Sequence, residues 1–265
     1  MSVLEERLPT GGREKNVIRM LDLCTGTGCI PILLSHLRRQ SGGITVAYGV
    51  DISTEALALA RENATDHSLT PSSGLDYNTA HNEDPGEKTE VGETGEFGGR
   101  ANHGRETVNL IATNAGGGSQ RSSDSLVDVI YADILGENFV QDVLSRMKPP
   151  FDVITSNPPY VPLDEYDGLS KSVREWEDPR AILGDLPTHN SEGNSSKGRG
   201  LTFYRRIAQI VSTDGVLGSN GMVLLEVGDG QAEEVREILD ESGGVSRTEV
   251  WKDPRGIPRV VVGYR

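Results

Sequence analysis

Four consecutive residues, Asn157-Pro158-Pro159-Tyr160, carry the most legible chemistry in this chain. They follow a short apolar run, Phe151-Asp152-Val153-Ile154-Thr155-Ser156, that reads as a strand. Neither proline can donate a backbone hydrogen bond. Each fixes its own φ and biases the residue before it towards extended geometry. The consequence is a stiff loop at the strand's carboxyl end, presenting the Asn157 side-chain amide and unpaired backbone carbonyls. Such a rim accepts hydrogen bonds from a planar NH2 group, with Tyr160 supplying a flat face to pack on it. Taken alone, the same residues also describe a proline-capped strand entering an ordinary turn.

A second group lies far upstream. Val17 to Leu23 is a compact apolar strand that runs into Cys24-Thr25-Gly26-Thr27-Gly28-Cys29 and then an apolar-periodic helix from about Ile30 to Arg39. Pro31 sits in the first helical turn, where a missing N–H does no harm. A strand, a glycine turn and a helix bring backbone N–H groups close to a ligand. A dinucleotide fingerprint needs a third glycine, but position 31 is proline, which weakens a nicotinamide reading. Gly26 and Gly28 alone could equally make a tight turn. The next strand, Ile44 to Val50, ends in Asp51, a residue placed to accept both hydroxyls of a ribose. A helix cap is the competing role for Asp51, yet Ser53 can fill it. The turn and Asp51 together point to an adenosine-type ligand. Asp133 ends the strand Leu126–Tyr131 at the same kind of edge, where ligands of open parallel sheets gather.

The elements that must position these groups follow in order. Ser2 to Leu8 reads as the end of a helix, broken by Pro9 to Gly12. A helix from Thr54 to about Ala64 follows the second strand. From about 68 to 124 the apolar pattern collapses. Such a stretch buries too little surface to offset an ordering cost of ~1–2 kcal/mol per residue, so a disordered insertion is expected. Thr107 to Thr113 is its one candidate ordered run. Glu137 to Met147 reads as a helix crossing back over the sheet. Val161 to Gly184 is polar and irregular, with Trp176 and Leu183 as anchors, and about 186–199 forms a second low-complexity insertion. Leu201–Val211 and Gln231–Ser242 read as helices around a strand at Gly221–Gly228. Thr248–Trp251 and Arg259–Tyr264 close the chain as an antiparallel pair. The expected architecture is one α/β domain over residues 1–265. Its seven-stranded sheet is mostly parallel, with an antiparallel C-terminal hairpin and helices on both faces.

Composition narrows the function classes. The 265 residues carry a formal net charge of −14, and the mean hydropathy is −0.40. Duplex-binding proteins present a basic face, because phosphate neutralisation drives their affinity. An acidic total suits solubility or a cationic protein partner better. Cys24 and Cys29 have four residues between them, which is not a redox C-x-x-C, and they read as two small buried hydrophobes. The five histidines share no ligand spacing with the cysteines, so no metal is expected. No apolar run approaches the ~18 residues of a membrane span, and the first residues lack a signal-peptide apolar region.

With these groups in this order, the chain resembles a class I S-adenosylmethionine-dependent methyltransferase. Within that superfamily it is similar to the HemK-type protein-(glutamine-N5) methyltransferases, which act on peptide-chain release factors. Leu21 to Gly28, Val50 to Ser53, the Asn157–Tyr160 loop, Glu226 to Gln231 and Asp253 to Arg259 carry the likeness, which covers roughly 16–66, 126–184 and 200–265. The resemblance implies a Rossmann-like class I methyltransferase fold, with S-adenosylmethionine as cofactor and S-adenosylhomocysteine as product. It places the cofactor against Asp22, Cys24, Thr25, Gly26, Thr27 and Gly28, with Asp51 and Ile52 at the ribose, Asp133 and Ile134 at the adenine, and Asn157 beside the methyl group. It assigns Asn157, Pro158, Pro159 and Tyr160 to the grip on the substrate glutamine, expected to be that of a Gly-Gly-Gln sequence.

The chain departs from the family in several places. No helical docking domain and no Pro-Arg-Pro-x-Thr-Glu segment precede the first strand, and Asp178-Pro179 stands where relatives often have Glu-Pro. The insertion after the second strand's helix is also unusual. Two rival functions share the motifs: an amino-methyltransferase acting on adenine in DNA or RNA, and a non-catalytic cofactor-binding module in a complex. The expected partner is a release factor, with no sequence-specific nucleic acid, no membrane and a monomeric state. The expected compartment is the mitochondrion, with the cytoplasm as alternative.

Overall fold

Alternation in the first strand, β1 (Val17–Leu23), sends Ile18 and Met20 to one face of the sheet and Leu21 and Leu23 to the other, all buried. A strand with two buried faces belongs in the middle of a layered α/β fold. The computed structural model describes residues 17–69, 125–142, 144–185 and 198–265. β1 runs through a glycine turn into α1 (Cys29–Gln40), then β2 (Ile44–Asp51) and α2 (Thr54–Asp66). Ser53 caps α2 as the sequence predicts, its Oγ accepting from the Ala56 amide at 3.1 Å.

β3 (Leu126–Tyr131) is followed by α3 (Phe139–Asp142) and a 3-10 turn at Leu144–Met147, leading to β4 (Phe151–Ser156). The expected continuous helix over 137–147 is therefore two short pieces. Phe139, Leu144 and Met147 are buried in the core from these two pieces.

Beyond β4, Val161 to Gly184 is not irregular but three short helical segments. These are a 3-10 turn at Leu163–Gly168, α4 (Lys171–Trp176) and α5 (Pro179–Ile182). The chain closes with α6 (Thr202–Ser212), β5 (Leu217–Glu226), α7 (Ala232–Glu241), β6 (Arg247–Lys252) and β7 (Pro258–Tyr264).

The seven strands form one sheet in the order β3-β2-β1-β4-β5-β7-β6. All pairs are parallel except β5–β7 and β6–β7. α1 and α2 cover one face through Ile32, Leu57 and Ala60, while α3, α6 and α7 cover the other through Phe139, Ile207 and Val235. The chain leaves β1 towards β2 on one side and later fills the other side with β4. The gap outside the carboxyl ends of β1 and β4 is thus the topological switch point, where open α/β sheets bind ligands.

Of the two expected insertions, only the edges fall among the described residues. Residues 70–124, including Thr107–Thr113, lie outside the described residues, as do 186–197 and residues 1–16 with the helix end expected at Ser2–Leu8. Leu69, however, is fully buried, and its carbonyl accepts from Val127 N at 2.7 Å. Arg199 pairs with Glu234 at 2.6 Å. Positions 68–69 and 198–199 are therefore part of the packed domain. Among the described residues no helix is long and apolar enough to cross a membrane.

Candidate active site

The glycine turn is held from below and from the side. Beneath it, Asp22 is fully buried and accepts from Thr25 Oγ1 at 2.6 Å and from Thr155 Oγ1, so one carboxyl ties β1, the turn and β4 together. Burial pushes this carboxyl up to about 7, against the two threonine hydroxyls, which pull it down. Asp22 thus reaches the site through Thr25 and Thr155. Thr25 packs against Gly49 of β2, where a side chain would come within 2.8 Å of its hydroxyl.

From the side, Asp51 Oδ2 accepts the Gly26 amide at 2.8 Å, and its Oδ1 accepts the Ser53 amide at 2.9 Å. Asn63 of α2 donates to the Thr27 carbonyl at 3.0 Å. Gly26 and Gly28 both take positive φ, 55° and 77°, but for different reasons. A Cβ on Gly28 would press on Ala60 and Ile32 at 3.2 Å, so this glycine serves helix packing. A Cβ on Gly26 would meet nothing within 4 Å and would project into open space.

The two cysteines differ from the buried pair expected of them. Cys24 is half-buried with φ 56°, and burial raises its thiol above the ordinary range. Cys29 is exposed, because it opens α1 on the outer side of the turn, with Thr27 Oγ1 at 3.2 Å from its sulfur.

β4 brings the second group to the same rim. Ser156 pairs with Leu23 of β1, and its hydroxyl donates to the Leu23 carbonyl at 2.7 Å. Asn157 and Cys24 are therefore the next residues on adjacent strands. Asn157 is exposed, Pro158 and Pro159 are buried, and Tyr160 is half-buried. Burial raises the Tyr160 phenol, with nearby Glu226 adding to it.

The third strand end completes the edge. Asp133 is exposed and its Oδ1 accepts from Leu135 N at 2.9 Å, while the Ile134 side chain is buried in the core. Arg206 of α6 fixes this loop by donating to the carbonyls of Ile134 at 2.7 Å and Gly136 at 2.6 Å. Ile52, between Asp51 and the Ser53 cap, is half-buried. The turn residues 25–28, Asp51, Asp133 and Asn157 thus share one carboxyl edge, over strand ends running β3-β2-β1-β4.

Several supporting residues have no role assigned to them from the sequence, although Gln231 ends one of the stretches that carry the resemblance. Gln231 Nε2 donates to the Tyr160 carbonyl at 2.9 Å. Gly184, Gly200 and Gly228 crowd Tyr160 so closely that a Cβ on Gly184 would stand 2.7 Å from its Cα, and one on Gly228 2.8 Å from its ring. Isolated glycines outside turns are the available signal of such close approach. A cavity of about 540 Å³ lies beside Tyr160 rather than over Gly26 and Asp51, and Asp164, Glu165, Arg199, Asp229 and Glu234 line it. Trp176 does not anchor the segment after the loop. It is 85% exposed, and Ile182 is buried instead, with Leu183 half-buried.

No protein-family model matches the chain. Over 252 residues the chain is 28% identical to the release factor glutamine methyltransferase of Caulobacter vibrioides, covering 95% of this chain and 59% of that protein. The protein of the same name from Thermodesulfovibrio yellowstonii is 26% identical over 245 residues, covering 92% and 58%. The Bacillus cereus protein of that name reaches 36% over 110 residues, covering 42% and 34%. The chain thus spans between about a third and three-fifths of the length of the curated relatives it matches. Among solved structures, a human methyltransferase 10 domain containing protein aligns with TM-score 0.49 and 12% identity, covering 98% of this chain and 77% of that one.

Proposed function

We propose that this domain transfers a methyl group from S-adenosylmethionine to the side-chain nitrogen of a glutamine, in the Gly-Gly-Gln sequence of a peptide-chain release factor. The observation that carries the reading is the adjacency of exposed Asn157 to the Gly26–Asp51 turn, fixed by the Leu23–Ser156 pairing. The names of the relatives supply the substrate class.

The chain's residues fit the cofactor. Gly26 leaves open space where any side chain would intrude. Asp51 has used one lone pair on each oxygen for backbone amides, so two acceptor positions remain for ribose hydroxyls. Asp133 and the backbone of Ile134 form the adjoining edge. When bound, the cofactor supplies an electrophilic methyl group on a sulfonium.

The protein's task is orientation. An amide nitrogen is a poor nucleophile because its lone pair is delocalised into the carbonyl. In this reading Asn157 Oδ1 and the Pro158 carbonyl accept the two N–H bonds of the substrate amide and turn its lone pair to the methyl carbon. With the cofactor bound, its sulfonium would give up the methyl group to this nitrogen, which would then lose one of the two protons held by Asn157 Oδ1 and the Pro158 carbonyl. Placing reactants in near-attack contact supplies ~7–11 kcal/mol in favourable cases. Tyr160 packs on the flat face of the amide.

Methyl incorporation into bacterial-type and eukaryotic-type release factors, compared side by side, tests the proposal. Asn157→Ala should lower turnover by about a hundredfold or more while cofactor affinity stays near wild type. Methylation of an adenine-containing oligonucleotide instead of a release factor would overturn it.

A further inference from the structure

Pro158 and Pro159 cannot donate backbone hydrogen bonds, so the far end of the Asn157 loop needs donors from elsewhere. Gln231, at the start of α7 and 8% exposed, provides them. Its Nε2 donates to the carbonyls of Tyr160 and Arg199, both at 2.9 Å, and its Oε1 accepts the Gly228 amide at 3.0 Å. One carboxamide thereby joins three segments: the loop after β4, the turn after β5 and the residues entering α6.

The side-chain type is specified by this pattern. A carboxylate has no donor, an ammonium has no acceptor, and only an amide offers two donors and an acceptor in one plane. Its surroundings leave no slack. A Cβ on Gly200 would overlap the Tyr160 carbonyl oxygen, and one on Gly228 would stand 2.6 Å from Gln231 Oε1. None of these contacts involves Gly26 or Asp51.

We propose that Gln231 is a positioning residue for methyl transfer: through the Tyr160 carbonyl it sets the aim of the Asn157 loop without touching the reactants. The inference rests on the proposed methyl transfer to glutamine, and it predicts a split between turnover and cofactor binding.

The test uses Gln231→Glu and Gln231→Met, with a Gly-Gly-Gln peptide as acceptor. The carboxyl introduced by Gln231→Glu would keep the Gly228 contact but turn an acceptor towards two carbonyls. Once protonated, it regains one donor. The charged groups around it are Glu234 with its partner Arg199, Asp185 on the Gly200 amide, Asp229 in the turn, and Asp164 and Glu165 along the cavity. The predominance of acids favours protonation at accessible pH. At pH 8 Gln231→Glu should lose about tenfold or more in kcat, as expected for removing buried donors. Its activity relative to wild type should recover as pH falls towards 6. Gln231→Met should lose turnover at every pH, and both variants should bind S-adenosylmethionine within about twofold of wild type.

Hydrogen exchange over 160–184 reads the anchoring without any acceptor, and protection there should fall in Gln231→Met while 20–28 keeps its protection. A wild-type protein inactive on the peptide, with Gln231→Met still losing protection over 160–184, would count against the proposed reaction and not against the clamp. Unchanged exchange, a flat pH ratio, an equal loss of cofactor affinity, or failure of both variants to fold would overturn the positioning role.

Discussion

Asp51 holds the amide of Gly26 at 2.8 Å, so the end of β2 fixes the turn that follows β1. The same carboxylate caps the chain at Ser53. A residue read from the sequence as a ribose acceptor is therefore also the brace of the loop it would work with. Asp51→Asn retains size but replaces one acceptor oxygen by a donor facing a backbone N–H. Calorimetry should show S-adenosylmethionine affinity falling by about tenfold or more, in line with an unsatisfied buried partner. Unaltered affinity would remove Asp51 from the cofactor site.

Gly26 and Gly28 separate on substitution. Gly28→Ala adds a methyl group against Ala60 and Ile32 at a positive φ, so it should destabilise the fold by about 2 kcal/mol or more in denaturant titration. Gly26→Ala meets only the backbone cost of ~1–2 kcal/mol. Its methyl projects into open space, and the larger effect should be weakened cofactor binding.

Asp22 makes a pH-dependent contribution of defined sign. Burial first, and then the charge of Asp51, hold its folded carboxyl up at about 7, while in the unfolded chain it titrates near the ordinary value of 3.8. Between those values the folded state keeps a proton that the unfolded state has released. Its contribution is therefore present at pH 3 and is lost as pH rises to 7. The stability difference between wild type and Asp22→Asn, measured by urea titration, should decline across that window, with a slope of at most ~1.4 kcal/mol per pH unit. A difference that grows with pH would refute the assignment.

Trp176→Ala should leave the unfolding midpoint nearly unchanged, within about 0.5 kcal/mol, because the ring is 85% exposed. A larger loss would restore the anchoring role expected from its residue type.

The order of strands and helices around β1, β2 and β4 was legible because apolar alternation, the glycine turn and the double proline are local signals. Ser53 was readable as a cap for the same reason. The segment 161–184 was not: its short helices form around caps such as Ser170 and Asp178, with no sustained apolar period to announce them. The resemblance sets Asp22 against the cofactor, whereas strand alternation turns its side chain inward onto Thr25 and Thr155. Cys29 looked buried by residue type, but its position at the first turn of α1 exposes it. Gln231 and Arg206 act on backbone carbonyls far away in sequence, and no local pattern records such a partnership.

The segment after the Asn157 loop leaves and rejoins the rim at one place. Val161 N donates to Ile182 O at 2.9 Å, and Gly184 N donates to Val161 O at 3.0 Å. Because the two ends are already stitched together, lengthening or exchanging the intervening stretch alters closure entropy by only about 0.6 kcal/mol per doubling of length. The fold thus offers an interchangeable faceplate beside a fixed reaction rim, free to diversify while the four-residue loop stays where β4 puts it.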